Sequence, residues 1–342
     1  MKILLVGSDF EFGIERYYIK YLRDFGADVI HYPAPDIVMR QRLKNLLNRG
    51  LFKTGIYTGY DRVNKELIRL AADHQPDVIW IFKGMEIFPA TLKQLAKTER
   101  LANYNPDHPF IISSKGSGNR NVTDSVGLYH LHFCYNYKLL RQLEQSYPVK
   151  TAFLPFGFEL APADFQSACG EPEIKKICFI GNPDKTRIQT LALLVRNGFS
   201  VDVYGHGWYK TSLNGVSNLS IFDAVYGPEF WKKLRQYRVQ INIFRQHNLG
   251  SHNMRTFEIP AIGGIQLAPY SEEQQSFFTE GREIFFYRKE TDLLSQAKAL
   301  LAAPAEQADQ YRQAARKRSL DSHHSYRDRA MTVYENFKQW IG

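Results

Sequence analysis

Asp107 and His108 stand side by side between two prolines in the stretch NYNPDHPF, and a carboxylate next to an imidazole is a pairing that general acid–base chemistry uses. Asp9 and Glu11, just after the first apolar run MKILLVG, are further carboxylates placed to take a proton from a hydroxyl. A second set of residues suits an anion. In NMRTFEIPAIGG, residues 253–264, Asn253 is placed to cap a short helix, and Arg255 and Glu258 lie three apart on one face of it. The electropositive helix start and the guanidinium suit a diphosphate, and a carboxylate one turn further in suits the two hydroxyls of a ribose. FIGNPDKTR offers the turn Gly181-Asn182 ahead of a helix carrying Lys185 and Arg187. YGHGW places Gly205 and His206 where the backbone can approach a ring closely. The G-x-x-x-x-G-K-[ST] phosphate loop is absent, so neither stretch is a P-loop.

The elements that must position these residues follow from apolar runs and helical spacing. KILLVG, ADVIHY, DVIWIF, LANY, YHLHFCYN and KTAFLPFG read as strands of a first half, with helices near 14–25 and 138–147. KICFIG, SVDVYG, NLSIF, VQINIF, GIQLAP and REIFFY read as strands of a second half, with helices near 185–197 and 228–236 and three more closing the chain. Strand–helix alternation implies parallel sheets and an α/β fold in two Rossmann-like halves. The loop after KILLVG holds Gly7 and Gly13 without the G-x-G-x-x-G spacing, so no dinucleotide site is expected there. Residues 158–174 lose periodicity and gather Pro, Ala, Gly and acids, as an interdomain linker does. Two halves of similar size imply a ligand crevice between them.

With 44% hydrophobic and 23% charged residues, the 342-residue chain has the profile of a soluble globular protein. MKILLVGSDF reads as a first strand and not a secretory signal, and no run reaches the ~20 apolar residues of a membrane span. Three scattered cysteines, Cys134, Cys169 and Cys178, show no metal-ligand spacing and fit a reducing cytoplasm. The formal charge of +9, without zinc-finger spacing or an RNP-like aromatic motif, points to phosphorylated ligands and not to nucleic acid. Residues 37–53 form an amphipathic segment with five basic residues and no acidic one, suited to packing on the sheet or to resting on an anionic membrane.

Taken in order, FIGNPDKTR, VYGHGW, NMRTFEIPAIGG, FFTEGREIFFY, HHSYRDRA and the loop NYNPDHPF resemble the CgeB-like glycosyltransferases, a branch of the GT-B superfamily. The resemblance covers most of the chain. It implies a Rossmann-like acceptor domain over 1–157, the linker at 158–174, a donor domain over 175–325 and a final helix, 326–342, crossing back onto the first domain. It also implies a nucleoside-diphosphate sugar as donor, with Glu258 at the ribose and Asn253, Arg255 and Arg187 at the diphosphate. Gly250 stands where many retaining GT-B enzymes carry the first Glu of a Glu-x7-Glu motif, which lowers a retaining mechanism. No Asp-x-Asp loop is present, so the leaving group would be stabilised without a metal or other cofactor.

The expected reaction is transfer of a sugar to a hydroxyl of a glycan, a lipid-linked glycan or a protein. If configuration is inverted, Asp107 is the first choice of base, beside His108 and ahead of Asp9 and Glu11. A nucleotide-sugar epimerase and a non-catalytic nucleotide-sugar-binding subunit are the alternatives, and fold analogy alone does not separate them.

Overall fold

A computed structural model describes residues 1–44, 50, 59–111 and 116–342. The chain forms two compact units, residues 1–155 with 326–342, and residues 156–325. Among the described residues each unit is built on one sheet of six parallel strands.

In the first unit the strands are β1 (Lys2–Val6), β2 (Asp28–Tyr32), β3 (Val78–Phe82), β4 (Leu101–Tyr104), β5 (Leu131–Cys134) and β6 (Lys150–Phe153). Their order is β2-β1-β3-β4-β5-β6. All five residues of β3, VIWIF, are buried, because helices cover both faces of a parallel sheet and leave no wet side for alternation. The helix Ile14–Asp24 buries Ile14, Tyr18, Ile19 and Leu22 at helical spacing. It stops at Gly26, whose φ of +87° lets Ala27 donate back to the Leu22 carbonyl at 3.0 Å. The final helix, Tyr326–Ile341, belongs to this unit. Tyr326 meets Tyr18 with ring centroids 5.7 Å apart, and Phe337 fills the space against Trp80 and Phe133, both at 5.6 Å.

In the second unit the strands are β7 (Ile174–Ile180), β8 (Val201–Tyr204), β9 (Leu219–Phe222), β10 (Tyr237–Ile241), β11 (Gln266–Pro269) and β12 (Phe285–Tyr287). Their order is β12-β11-β10-β7-β8-β9. Direction reverses between β7 and β10, and that point is where open α/β sheets leave a crevice at the carboxyl ends of their strands.

One expectation meets a different arrangement. The stretch 158–174 is not a bare linker: Pro162–Cys169 is helical and packs on the helix Gly227–Gln236. Phe156 and Phe158 are already buried in the second unit, and Glu173 ties it together. Its carboxylate takes hydrogen bonds of 2.7 and 2.5 Å from the fully buried Arg238 and one of 2.9 Å from Arg312. An Ala- and acid-rich stretch without periodicity is here a short helix and an ionic staple. The basic segment is helical over Ala34–Leu43; of the rest, residues 45–49 and 51–53 lie outside the described residues.

Candidate functional site

The carboxyl ends of β7 and β10 bring together the anion-binding residues expected in the second half. Asp184 caps the helix Lys185–Arg196 by accepting from the Arg187 amide at 3.0 Å, which sets Arg187 at the mouth of the crevice. From there Arg187 reaches across the switch point, its Nε donating to the Ile243 carbonyl beyond β10 at 3.2 Å. Arg255 reaches the opposite way, its Nε donating to the Ile180 carbonyl at the end of β7 at 3.4 Å. Its guanidinium lies 4.5 Å from the Phe230 ring centroid and pairs with Glu258. Two arginines thus cross the same reversal in opposite directions.

A third arginine, Arg245, sits in the loop after β10. Burial brings Arg187 down to about 10, against the pull of Asp184 and with the charges of Arg245 and Arg255 adding to the fall. Guanidinium groups that close, with Asp184 and Glu258 as their nearby carboxylates, leave a positive spot that an anion would relieve. Spacing within one motif gave no signal for Arg245. Its only sequence cue is a basic residue just past a strand that ends at the switch point.

Glu258 lies one turn into the helix Arg255–Ala261 and is only 7% exposed, between Phe257 and Ile259 in the core. Burial raises its carboxyl, and Arg255 opposes that rise through charge and hydrogen bond. Asn253 stands one residue ahead of this helix's N-cap position, Met254, and accepts from the Thr256 amide at 3.2 Å. Its side-chain amide also exchanges hydrogen bonds of 3.0 and 2.8 Å with Asn242, so the side chain faces inward and holds the loop.

Gly205 is needed for close approach. A Cβ on Gly205 would lie 2.4 Å from the Gly181 carbonyl oxygen, and that same oxygen accepts from the Trp208 indole at 2.7 Å. Asn182 accepts from the His206 amide at 2.9 Å, locking the loops after β7 and β8 together. His206 itself is exposed, and its ring meets the exposed Tyr226 hydroxyl at 3.3 Å.

In the first unit, Asp107 is ion-paired with Lys83 at 2.6 Å, and its amide donates to the Asn105 side chain at 3.0 Å. His108 is buried and accepts from the Phe110 amide at 3.3 Å, so its ring closes the turn. Asp9 pairs with Arg16 at 2.6 Å and lies 3.4 Å from His31, while Glu11 is exposed on the loop tip. Sequence reasoning missed Glu15 and Glu86, two carboxyls that burial raises and the nearby Lys83 lowers. Glu15 explains Gly7 and Gly13. Their hypothetical Cβ atoms would strike its side chain at 2.7 and 3.2 Å, and the Ser8 amide donates to its carboxylate at 3.3 Å. The glycine loop after β1 therefore wraps a carboxylate of the chain itself, where a dinucleotide loop would wrap a phosphate.

Among the described residues no group of three or more His, Cys, Asp or Glu is placed to hold a metal ion. No helix among them is long and apolar enough to cross a membrane.

Two parallel six-stranded sheets in these orders are the paired Rossmann-like domains of the GT-B glycosyltransferase fold. A sucrose-phosphate synthase from Thermosynechococcus elongatus superposes with a TM-score of 0.71 at 13% identity, over 100% of this chain and 99% of that one. Anabaena Alr3699/HepE, solved in complex with UDP and glucose, gives 0.65 at 10% identity over 99% and 100%. A UDP-N-acetylglucosamine 2-epimerase described as putative, from Listeria monocytogenes, gives 0.57 at 12% over 97% and 94%. At such identities these likenesses establish the fold. Residues 187–335, which include Arg187, Arg245, Arg255 and Glu258, match the family model described as glycosyl transferase-like. No curated protein matches the chain.

Proposed function

We propose that this protein is a glycosyltransferase that binds a nucleoside-diphosphate sugar in its second unit and passes the sugar to a hydroxyl acceptor. The observation that carries the reading is the reciprocal crossing of Arg187 and Arg255 over the β7–β10 reversal, with Glu258 one turn behind them. Arginine is suited to this work because its planar fork matches phosphate oxygens and stays charged. The glycosyl transferase-like match over 187–335 and the UDP bound by the HepE neighbour support a sugar nucleotide as the ligand.

In this reading the diphosphate lies against Arg187, Arg245 and Arg255. Breaking the glycosidic bond leaves negative charge on the departing phosphate oxygen, and preorganised guanidinium groups stabilise it as it forms. Glu258 accepts hydrogen bonds from the ribose hydroxyls. Arg255 then turns from Glu258 to the phosphates, exchanging a carboxylate partner for a ligand one. Proton removal from the acceptor falls to a first-unit carboxylate, Asp107 first, with Asp9 and Glu11 behind it. Metal independence, the CgeB-like branch and peripheral contact of the 37–53 segment with a cytoplasmic membrane face belong to the same proposal.

Calorimetric titration with UDP-, GDP-, dTDP- and CMP-sugars tests the donor assignment. One of them binds the wild-type chain, and Glu258→Ala weakens that binding by about tenfold or more, the loss of ~1.4 kcal/mol or more. Unchanged affinity removes the ribose assignment. The fold also resembles an epimerase, so incubation of labelled donor without acceptor is the second arm. A new sugar isomer in that mixture would favour the epimerase.

A further inference from the structure

At the opposite end of the first sheet from Asp9 and Asp107, the amino ends of β4, β5 and β6 border an open groove of about 900 Å³. Its volume falls in the range of about 300–1,000 Å³ usual for small-ligand sites. Lys97, Arg100 and Lys150 line it, all exposed, and among the described residues none of the three is ion-paired with a carboxylate. The aromatic wall is held firmly. Trp340 rests 6.2 Å from the His130 ring and 6.5 Å from Phe337. Tyr147 stacks on Phe110 at 6.3 Å, with rings 7° from parallel, and covers Gly127, where a Cβ would lie 3.0 Å from its ring. His130 accepts from the Leu101 amide through Nδ1 at 3.0 Å, which leaves Nε2 as its donor.

We propose that this groove binds an acidic oligosaccharide, with sugar rings on Trp340 and Tyr147 and acid groups on Arg100, Lys97 and Lys150. The combination of chemistries selects this ligand. A pyranose ring presents an apolar C–H face to a flat aromatic surface, and its hydroxyls need acceptors as well as donors. Glu99 and Glu144, also in the lining, are those acceptors, and they disfavour a bare polyphosphate or nucleic-acid backbone. Three cations against these two carboxylates leave the groove's balance positive. Packed ring faces cost little to order when a ligand arrives, and the unpaired cations have no carboxylate partner to give up. The inference goes beyond the donor reading and stands whether or not the second unit transfers a sugar.

Tryptophan fluorescence reads this site directly. Of the four tryptophans, Trp80, Trp208 and Trp231 are buried, so a surface ligand quenches Trp340. The full chain is titrated with uronate- and sialate-containing tetrasaccharides, with maltotetraose as the neutral counterpart and inorganic polyphosphate as the plain polyanion. At least one acidic tetrasaccharide gives a saturable change, about tenfold tighter than maltotetraose. Trp340→Phe removes the optical signal, and Arg100→Gln with Lys150→Gln weakens calorimetric binding by about tenfold. Nucleotide-sugar binding and melting temperature stay unchanged in these variants. Three results overturn the proposal: no saturable binding by any acidic tetrasaccharide, equal affinity for maltotetraose, or polyphosphate binding that the acidic sugars do not surpass.

Discussion

Arg255 has two hydrogen-bond partners in the structure, the Ile180 carbonyl and the Glu258 carboxylate, and only the second is one a ligand replaces. Glu258→Gln therefore separates the two jobs of this carboxylate. It keeps a hydrogen-bond acceptor for the ribose but loses the charge that holds Arg255, so donor affinity falls less than in Glu258→Ala. Arg245→Gln removes a charge from the positive spot without touching the helix. Donor affinity drops by about three- to tenfold, and the salt dependence of binding, read by calorimetry at two ionic strengths, becomes shallower. On the acceptor side, Asp107→Asn cuts turnover by about a hundredfold or more with donor affinity kept, a result read in steady-state kinetics. Turnover that survives moves the base to another carboxyl, with Glu15 and Glu86 the next to substitute.

Among the elements, the strand Ile174–Ile180 depends on a residue at its very start. Glu173 carries the charge that balances Arg238 and Arg312, and hydrogen bonding from Arg238, with Arg312 adding to it, brings its carboxyl down to about 2. Because the folded value lies below the unfolded one, its stabilisation is complete above the ordinary carboxylate range. It is lost as pH falls through about 2. Glu173→Gln leaves Arg238 buried without a counter-charge, so the chain loses about 3–5 kcal/mol in denaturant unfolding near neutral pH. The variant also loses less stability on acidification than wild type. Composition alone concealed this residue. The stretch around it reads as a linker because an ionic staple has no periodicity, whereas the partners that make it structural lie 65 and 139 positions away in sequence. Strands such as VIWIF and the helix Lys185–Arg196 were legible because burial on both faces and helical spacing of apolar residues leave local marks. Gly7 and Gly13 were legible as a tight loop, but not as a cradle for Glu15, since an internal carboxylate and a bound phosphate ask the same of the backbone.

At the scale of the molecule, each sheet gathers charged residues at the carboxyl ends of its strands, yet the two sets are arranged differently. The first unit closes the loop after β1 over Glu15, and the second leaves its reversal to arginines. That asymmetry is what the proposed placement of the nucleotide in the second unit rests on. The final helix, far along the chain, completes the first core. Phe337→Ala, whose ring meets Trp80 and Phe133, costs about 3–5 kcal/mol in equilibrium unfolding. Donor binding by folded protein is unaffected. The central claim, that arginines at the β7–β10 reversal and Glu258 behind them hold a sugar nucleotide, is tested most directly by calorimetry with the nucleotide-sugar panel on wild type and Glu258→Ala. Saturable binding of one donor by the wild type and a loss of about tenfold or more in the variant are expected. Equal affinity in both proteins, or no binding of any nucleotide sugar by the wild type, contradicts it.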